Sequence, residues 1–263
     1  MPNAHRSTAL LPIMLKKLRL ATIRAHWQEV AEKAIREHWT PDHYLSELCQ
    51  MELAVREERR LQRYLKDAKL PIGKNLSSFD FTAVEGVSKA QVYDLINQTD
   101  WLKKGANLLI FGASGLGKTH LASCVGYGLL ERGHRVKFIS ARELTQQLQL
   151  AKKHLRLQEE LIKLDKYSPL ILDDVGYLRK SEQETSVLFE LIAHRYERQS
   201  MVITSNKSFE DWDELFDDST MTIAAIDRLV HHANIIHCQG ESYRRKTALG
   251  IMERQKRKNG QSN

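Results

Sequence analysis

Up to the stretch LPIGKNLSSFDF, apolar residues recur at the spacing of one helix face, and no alternating, strand-like run appears. Ile23, Trp27, Val30 and Ala34 form one such stripe. Thr40-Pro41-Asp42 then supplies a capping residue followed by proline at the first helical position, where its missing N–H costs nothing. The next stripe is Tyr44, Leu48, Met51 and Val55, continuing through Leu61 and Leu65. It stops where Pro71, Gly73, Ser77 and Ser78 interrupt the period, and a domain boundary is expected there. Trp27, Trp39 and the early leucines are the expected core of this helical unit, which is too small for a catalytic domain and reads as an interaction module.

Beyond the boundary, short apolar runs alternate with longer amphipathic segments. NLLIF, RVKFIS, PLILDD, SMVITSN and NIIHC read as five strands and the segments between them as crossover helices, which predicts an α/β parallel sheet. Ser140-Ala141-Arg142-Glu143 has the form of a capping box opening the helix after the second strand. The end, MERQKRKNGQSN, is polar, basic and aperiodic. The predicted division is a helical module over 1–75, an α/β domain over 76–245 and a basic tail over 246–263.

The loop after the first strand carries the chemistry. In GASGLGKTH, residues Gly112, Ala113, Ser114, Gly115, Leu116, Gly117, Lys118, Thr119 and His120, the spacing G-x-x-x-x-G-K-[ST] sits between a strand and a helix. Glycines there let successive backbone N–H groups turn inward around phosphates at a helix N-terminus. Lys118 reaches the β and γ oxygens, and the Thr119 hydroxyl is placed to ligate Mg²⁺. A second acidic element is then expected at another strand end, and LILDD supplies it. Asp173 would hold Mg²⁺, and Asp174 would orient or deprotonate the attacking water; the plainer alternative is a solvated turn.

Asn206, closing the strand in ITSN, is aimed at the same crevice as a contact to the γ-phosphate or the water. Arg228, on the segment before the fifth strand, is a candidate arginine finger for a neighbouring subunit's site, with an ion pair to Asp227 as the alternative. His231, His232 and His237 do not show the H-E-x-x-H arrangement of a zinc enzyme, so no metal is expected of them.

Composition excludes several classes. No apolar run approaches the roughly 18 residues needed to cross a bilayer, and TALLPIML runs into Lys16 and Lys17 instead of a cleavage site. Cys49, Cys124 and Cys238 are widely separated and odd in number, which argues against a disulfide framework or a zinc ribbon. A soluble cytoplasmic protein without a membrane partner is expected. A formal charge of +7 over 263 residues makes a polyanion a plausible partner.

GASGLGKTHLA, LILDDVGYL, RYERQSMVITSN, AAIDRLVHH and GESYR stand in an order and spacing that resembles the IstB-like ATPases, helper proteins of insertion-sequence transposition within the AAA+ class, related to DnaA-like initiators and DnaC-like helicase loaders. The similarity runs from about Leu15 to Tyr243. It implies a P-loop NTPase with an AAA+ core and a five-stranded parallel sheet, an ATPase using ATP and Mg²⁺. It also implies a homo-oligomer that assembles on double-stranded DNA and works with the transposase of the same element. Residue by residue, it assigns Gly112 to Thr119 to the nucleotide, Asp173 and Asp174 to the second acidic motif, Asn206 to the sensor position and Arg228 to the finger. Two departures stand out. Asp174 occupies a position where many AAA+ proteins carry glutamate, and too little chain follows IIHCQ for the usual helical lid, which leaves Arg244 a weak second sensor.

Two basic clusters are candidate DNA contacts. Arg56, Arg59, Arg60 and Arg63 share one helix face, with Glu52, Glu57 and Glu58 nearby as partners that would make it an ordinary solvated face. Lys152, Lys153 and Arg156, with His154, close the helix between the second and third strands, where initiator-like AAA+ proteins place a DNA-contacting insertion. This cluster is favoured. Three functional classes stay in view: a transposition helper, a helicase loader and a small-molecule P-loop kinase, the last lacking an evident lid or second substrate site.

Overall fold

The computed structural model describes residues 4–178, 182–208, 211–212 and 219–243; Arg244 and the basic tail lie outside them. Two compact units are distinguished, Met1–Arg63 and Tyr64–Asn263.

In the first unit, α1 (Ala4–Lys17), α2 (Ala21–Arg36) and the start of α3 (Pro41–Ala68) bury Leu15, Ile23, Val30 and Leu48. Leu11, Leu20, Trp27, Trp39, Tyr44 and Met51 border that core. Helix α2 begins after Leu20, which has no side-chain oxygen to cap the first N–H groups. Glu52 does so from α3. Its carboxylate accepts the N–H of Thr22 at 2.7 Å and of Ile23 at 3.2 Å, and receives the Arg56 guanidinium at 2.9 Å. Burial opposes ionisation of Glu52, but these donors outweigh it and hold its pKa below the ordinary carboxylate value.

In the second unit, two short turns at Leu76–Ser78 and Phe81–Ala83 lead to α4 (Lys89–Asn97) and α5 (Asp100–Lys103). Then β1 (Leu108–Phe111) is followed by α6 (Lys118–Glu131), β2 (Lys137–Ser140), α7 (Ala141–Lys153), α8 (Leu157–Leu164) and β3 (Leu170–Asp173). The chain continues through α9 (Glu182–Arg195), β4 (Met201–Ser205), α10 (Ser219–Val230) and β5 (Asn234–His237). The strands form one parallel sheet in the order β2-β3-β4-β1-β5, and all five expected runs are among them.

Strand β1 is apolar throughout, and β3 and β4 turn polar only at their carboxyl ends, at Asp173, Thr204 and Ser205, as expected of strands buried on both faces. Leu108, Leu109 and Ile110 are fully buried, each stabilising the fold by about 1.5–3 kcal/mol relative to exposure. Polar residues fix the register at the strand starts. Asn107 accepts the Met201 N–H at 2.9 Å and donates to the Leu229 carbonyl at 3.0 Å, tying β4 and α10 to the start of β1. Arg195, fully buried, donates to the carbonyls of Leu164, Tyr167 and Ser200. The Ser140 hydroxyl accepts the Glu143 N–H at 3.2 Å and so caps α7.

Parallel strands send every following loop to one edge of the sheet. The loops after β1, β3, β4 and β5 therefore meet there.

Candidate nucleotide-binding site

The loop between β1 and α6 is shaped by its close neighbours. Gly115 has φ +89°, and a Cβ there would lie 2.1 Å from Ser242 Oγ. At Gly112 a Cβ would meet the Cys238 carbonyl oxygen at 2.4 Å. The segment after β5 thus seals the back of the loop, and the Tyr243 N–H donates to the Gly115 carbonyl at 3.1 Å. Burial of Cys238 beside Gly112 pushes its thiol pKa up to about 11, so it is no nucleophile at neutral pH.

Lys118 is buried at the start of α6, and its ammonium donates to the Ala113 carbonyl at 2.9 Å. The loop therefore folds around its own cation. Thr119 lines the same cavity as Asp174, the residue after Asp173. Asp173 accepts the Thr204 hydroxyl at 2.6 Å, and Thr204 Oγ1 in turn accepts the Asp174 N–H at 2.8 Å. Burial raises the Asp173 pKa; the Thr204 hydroxyl opposes that, the neighbouring Asp174 charge adds to it and Thr119 opposes it.

Asp174 has φ +61°, which turns it out of the strand and into the cavity at the loop. That cavity, about 260 Å³, is lined by Ser114 through His120 together with Lys74, Phe79, Asp174 and Tyr243.

Asn206, just past β4, lies beside the turn after β3 and, like Arg228, is not among the residues lining the cavity. Its side-chain oxygen is buried against Gly176, in the turn after the two aspartates, and has no hydrogen-bond partner among the described residues. Arg228 lies elsewhere in its own chain: its guanidinium sits 5.2 Å from the Phe189 ring centroid and donates to the Ala224 carbonyl. It is not among the residues lining the cavity.

One wall of the site was not foreseen. The segment before α4 folds over the loop, so that His120 Nε2 lies 3.0 Å from Ser78 Oγ and 3.2 Å from the Asn75 carbonyl. The Phe79 and His120 rings meet edge-on at 5.1 Å. Burial lowers the His120 pKa, the Asn75 carbonyl raises it and Lys74 lowers it further. The sequence signal available was the aromatic pair in SSFDF, which reads locally as a linker.

The fit to a bound nucleotide and cation can be judged from the residues alone. The loop glycines Gly112 and Gly115 leave no room for a Cβ, a buried ammonium stands inside the loop, and the Thr119 hydroxyl and Asp174 carboxylate line the cavity beside it, the kind of donor set a hard cation takes. The site fits both groups.

Lys152, Lys153 and Arg156 are exposed at the turn from α7 to α8, with the Lys152 ammonium 2.8 Å from Ser186 Oγ. In the first unit, Arg56 is bonded to Glu52 and to the Arg19 carbonyl, Arg60 to Glu57, and Arg63 to the Arg59 carbonyl. Two of the four guanidiniums, those of Arg56 and Arg60, thus meet a carboxylate.

Comparison with known proteins decides the family. The profile of the IstB-like ATP binding proteins matches residues 13–250. This chain belongs to that family. It is 50% identical over 251 residues to an insertion sequence ATP-binding protein of Sinorhizobium fredii, covering 95% of this chain and 84% of that one. To the insertion sequence IS21 ATP-binding protein of Pseudomonas aeruginosa it is 36% identical over 236 residues, or 90% and 89% of the two chains.

Among solved structures, DnaA bound to AMPPCP and single-stranded DNA superposes with a TM-score of 0.51 at 20% identity, over 66% of this chain and 52% of that one. The DnaC helicase loader does so with a TM-score of 0.50 at 20% identity, over 67% and 99%. Those likenesses establish the fold as the P-loop AAA+ core. The protein is an ATP-binding ATPase of the insertion-sequence helper family. Among the described residues, no helix is long and apolar enough to cross a membrane.

Proposed function

We propose that this IstB-like ATPase hydrolyses ATP with Mg²⁺ at the cavity beside the phosphate loop, assembles as a homo-oligomer on double-stranded DNA, and in that state recruits or activates the transposase of its element. The observation that carries the catalytic part is the convergence of Thr119, Asp173 and Asp174 at the mouth of a loop already enclosing Lys118.

In this reading the inward N–H groups of Gly112 to Thr119 bind the phosphates, and Lys118 exchanges the Ala113 carbonyl for a phosphate oxygen. Thr119 and Asp173 hold Mg²⁺, which when bound offsets the charge of the β and γ oxygens. Asp174, held by its N–H on Thr204, orients the attacking water and accepts its proton. Its side chain is one methylene shorter than the usual glutamate, so the water must approach the turn closely. Asn206 offers its amide to the γ-phosphate or the water. Arg228, remote from its own loop, acts in trans on a neighbour's γ-phosphate. The exposed Lys152, Lys153 and Arg156 neutralise DNA phosphates, and Arg56, Arg59, Arg60 and Arg63 form a secondary face in which Arg56 and Arg60 are paired with carboxylates.

The test is to compare Lys118→Ala with Asp174→Ala. Lys118→Ala abolishes nucleotide binding, while Asp174→Ala binds ATP and does not turn it over, because the lysine meets the phosphates and the aspartate only the water. Unchanged turnover in Asp174→Ala would overturn the catalytic assignment. Co-purification with the element's transposase in ATP, set against a replicative helicase, separates the helper from a loader.

A further inference from the structure

We propose that Glu197, His231 and His232 form a binding site for a zinc-class divalent cation, distinct from the nucleotide site. Glu197 lies in the turn between α9 and β4, and the two histidines lie between α10 and β5. Both turns lead into strand starts, so the cluster sits at the sheet edge opposite the phosphate loop.

One ligand atom from each of the three residues lies within 4.8 Å of the others, and His231 Nδ1 is already 3.6 Å from Glu197 Oε1. The two imidazole rings are 3.9 Å apart. Zinc bonds of about 2.0–2.2 Å place tetrahedral donors about 3.4 Å apart, so the cluster needs a contraction of at most about 1.4 Å at its longest pair. All three side chains are exposed and can make that adjustment by rotation.

Two imidazoles and one carboxylate are a borderline donor set that suits zinc and leaves one position for water, whereas Mg²⁺ and Ca²⁺ demand oxygen ligands. Glu197 (φ +55°) and His232 (φ +63°) are the left-handed residues that end α9 and α10, as His38 and Leu155 end α2 and α7. The Tyr196 hydroxyl lies 2.9 Å from the same His231 Nδ1, so a cation taken at that nitrogen displaces this contact. A plain ion pair between His231 and Glu197 does not account for the second imidazole. His237 plays no part: it lies at the far end of β5, stacked on Phe111.

A bound cation would pin the turn before β4 to the end of α10, one helical turn from Arg228. The site itself does not depend on any role for Arg228.

The experiment is a Co²⁺ titration of the full chain without an affinity tag, stripped of metal by chelation and free of nucleotide, read by visible absorption and followed by Zn²⁺ displacement. One equivalent with the intense spectrum of tetrahedral Co²⁺ is expected. His231→Ala or His232→Ala should weaken it at least about 100-fold, since losing a ligand costs no less than the usual 10–100-fold cost of an outer contact. Glu197→Gln preserves shape while removing the charge, so it tests the site even if a histidine variant fails to fold. Thr119→Ala should leave the spectrum unchanged, which separates this site from the phosphate loop. No saturable tetrahedral signal, or one surviving in Glu197→Gln, overturns the proposal.

Discussion

At the phosphate loop each backbone turn is closed by a neighbour that is itself fixed. Ser242 stands behind Gly115, the Cys238 carbonyl behind Gly112, and Thr204 bridges Asp173 and the Asp174 N–H. The N-terminal unit has a different economy: a small cluster of Leu15, Ile23, Val30 and Leu48 and one carboxylate, Glu52, that caps a helix lacking a cap of its own. Geometry in the first region is over-determined, so changes there should alter function sharply. In the second a single group carries a large share of the order, and changes should appear as stability.

The largest effect should come from the residue lying outside its own site. Arg228→Ala is expected to bind ATP normally and lose about a thousandfold in turnover if the finger acts as in other phosphoryl-transfer sites. Mixing Arg228→Ala with Asp174→Ala subunits should then restore activity, because one brings an intact site and the other the guanidinium. Absence of recovery in a mixed ATPase assay would place the arginine in cis.

Next comes the loop backing. Gly115→Ala puts a methyl group 2.1 Å from Ser242 Oγ at a φ of +89°, so either the loop or the Tyr243 segment must move. ATP affinity should fall by about 100-fold, in line with strain of about 1–3 kcal/mol, with the far-ultraviolet circular dichroism unchanged. Wild-type affinity in this variant would show that the loop is not held from behind.

Glu52→Gln should have the opposite signature. It leaves the nucleotide cavity untouched and costs about 2 kcal/mol in the N-terminal unit, since a neutral amide replaces a charged acceptor of two N–H groups. Amide exchange at Thr22 and Ile23 reports it directly. Because the folded pKa of Glu52 is depressed, its contribution is fully present above the ordinary carboxylate value and is lost as pH falls through the lowered folded value. Protection of those two amides should therefore decline in acid in the wild type and vary less with pH in Glu52→Gln.

The smallest effect concerns the exposed cations. Replacing Lys152, Lys153 and Arg156 by alanine should weaken binding to all DNA sequences by about tenfold and make the salt dependence shallower by up to about three ion equivalents. A loss confined to one sequence would mean that these residues read bases.

Much of the site was legible because its chemistry is local. Gly112 to Thr119 lie on one continuous segment between a strand and a helix, and a spacing rule suffices to find them. The five strands were equally plain, since a parallel sheet buried on both faces leaves continuous apolar runs. Phe79, Ser78, Thr204, Cys238 and Tyr243 were not legible as site residues. Nothing in SSFDF or CQGESY says that these segments close on the same loop, and α4 and α5 lie in a stretch whose role is set by what it covers.

The sequence by itself determined the element types, the phosphate loop, the acidic pair at a strand end and the family, because each rests on residues close together in the chain. Tertiary structure alone decided that Glu52 caps a distant helix, that Asn206 points its oxygen at Gly176, and that Glu197 joins His231 and His232. Those pairings depend on strand order and loop direction, which bring together residues far apart in the chain. Periodicity and spacing report only what near neighbours share.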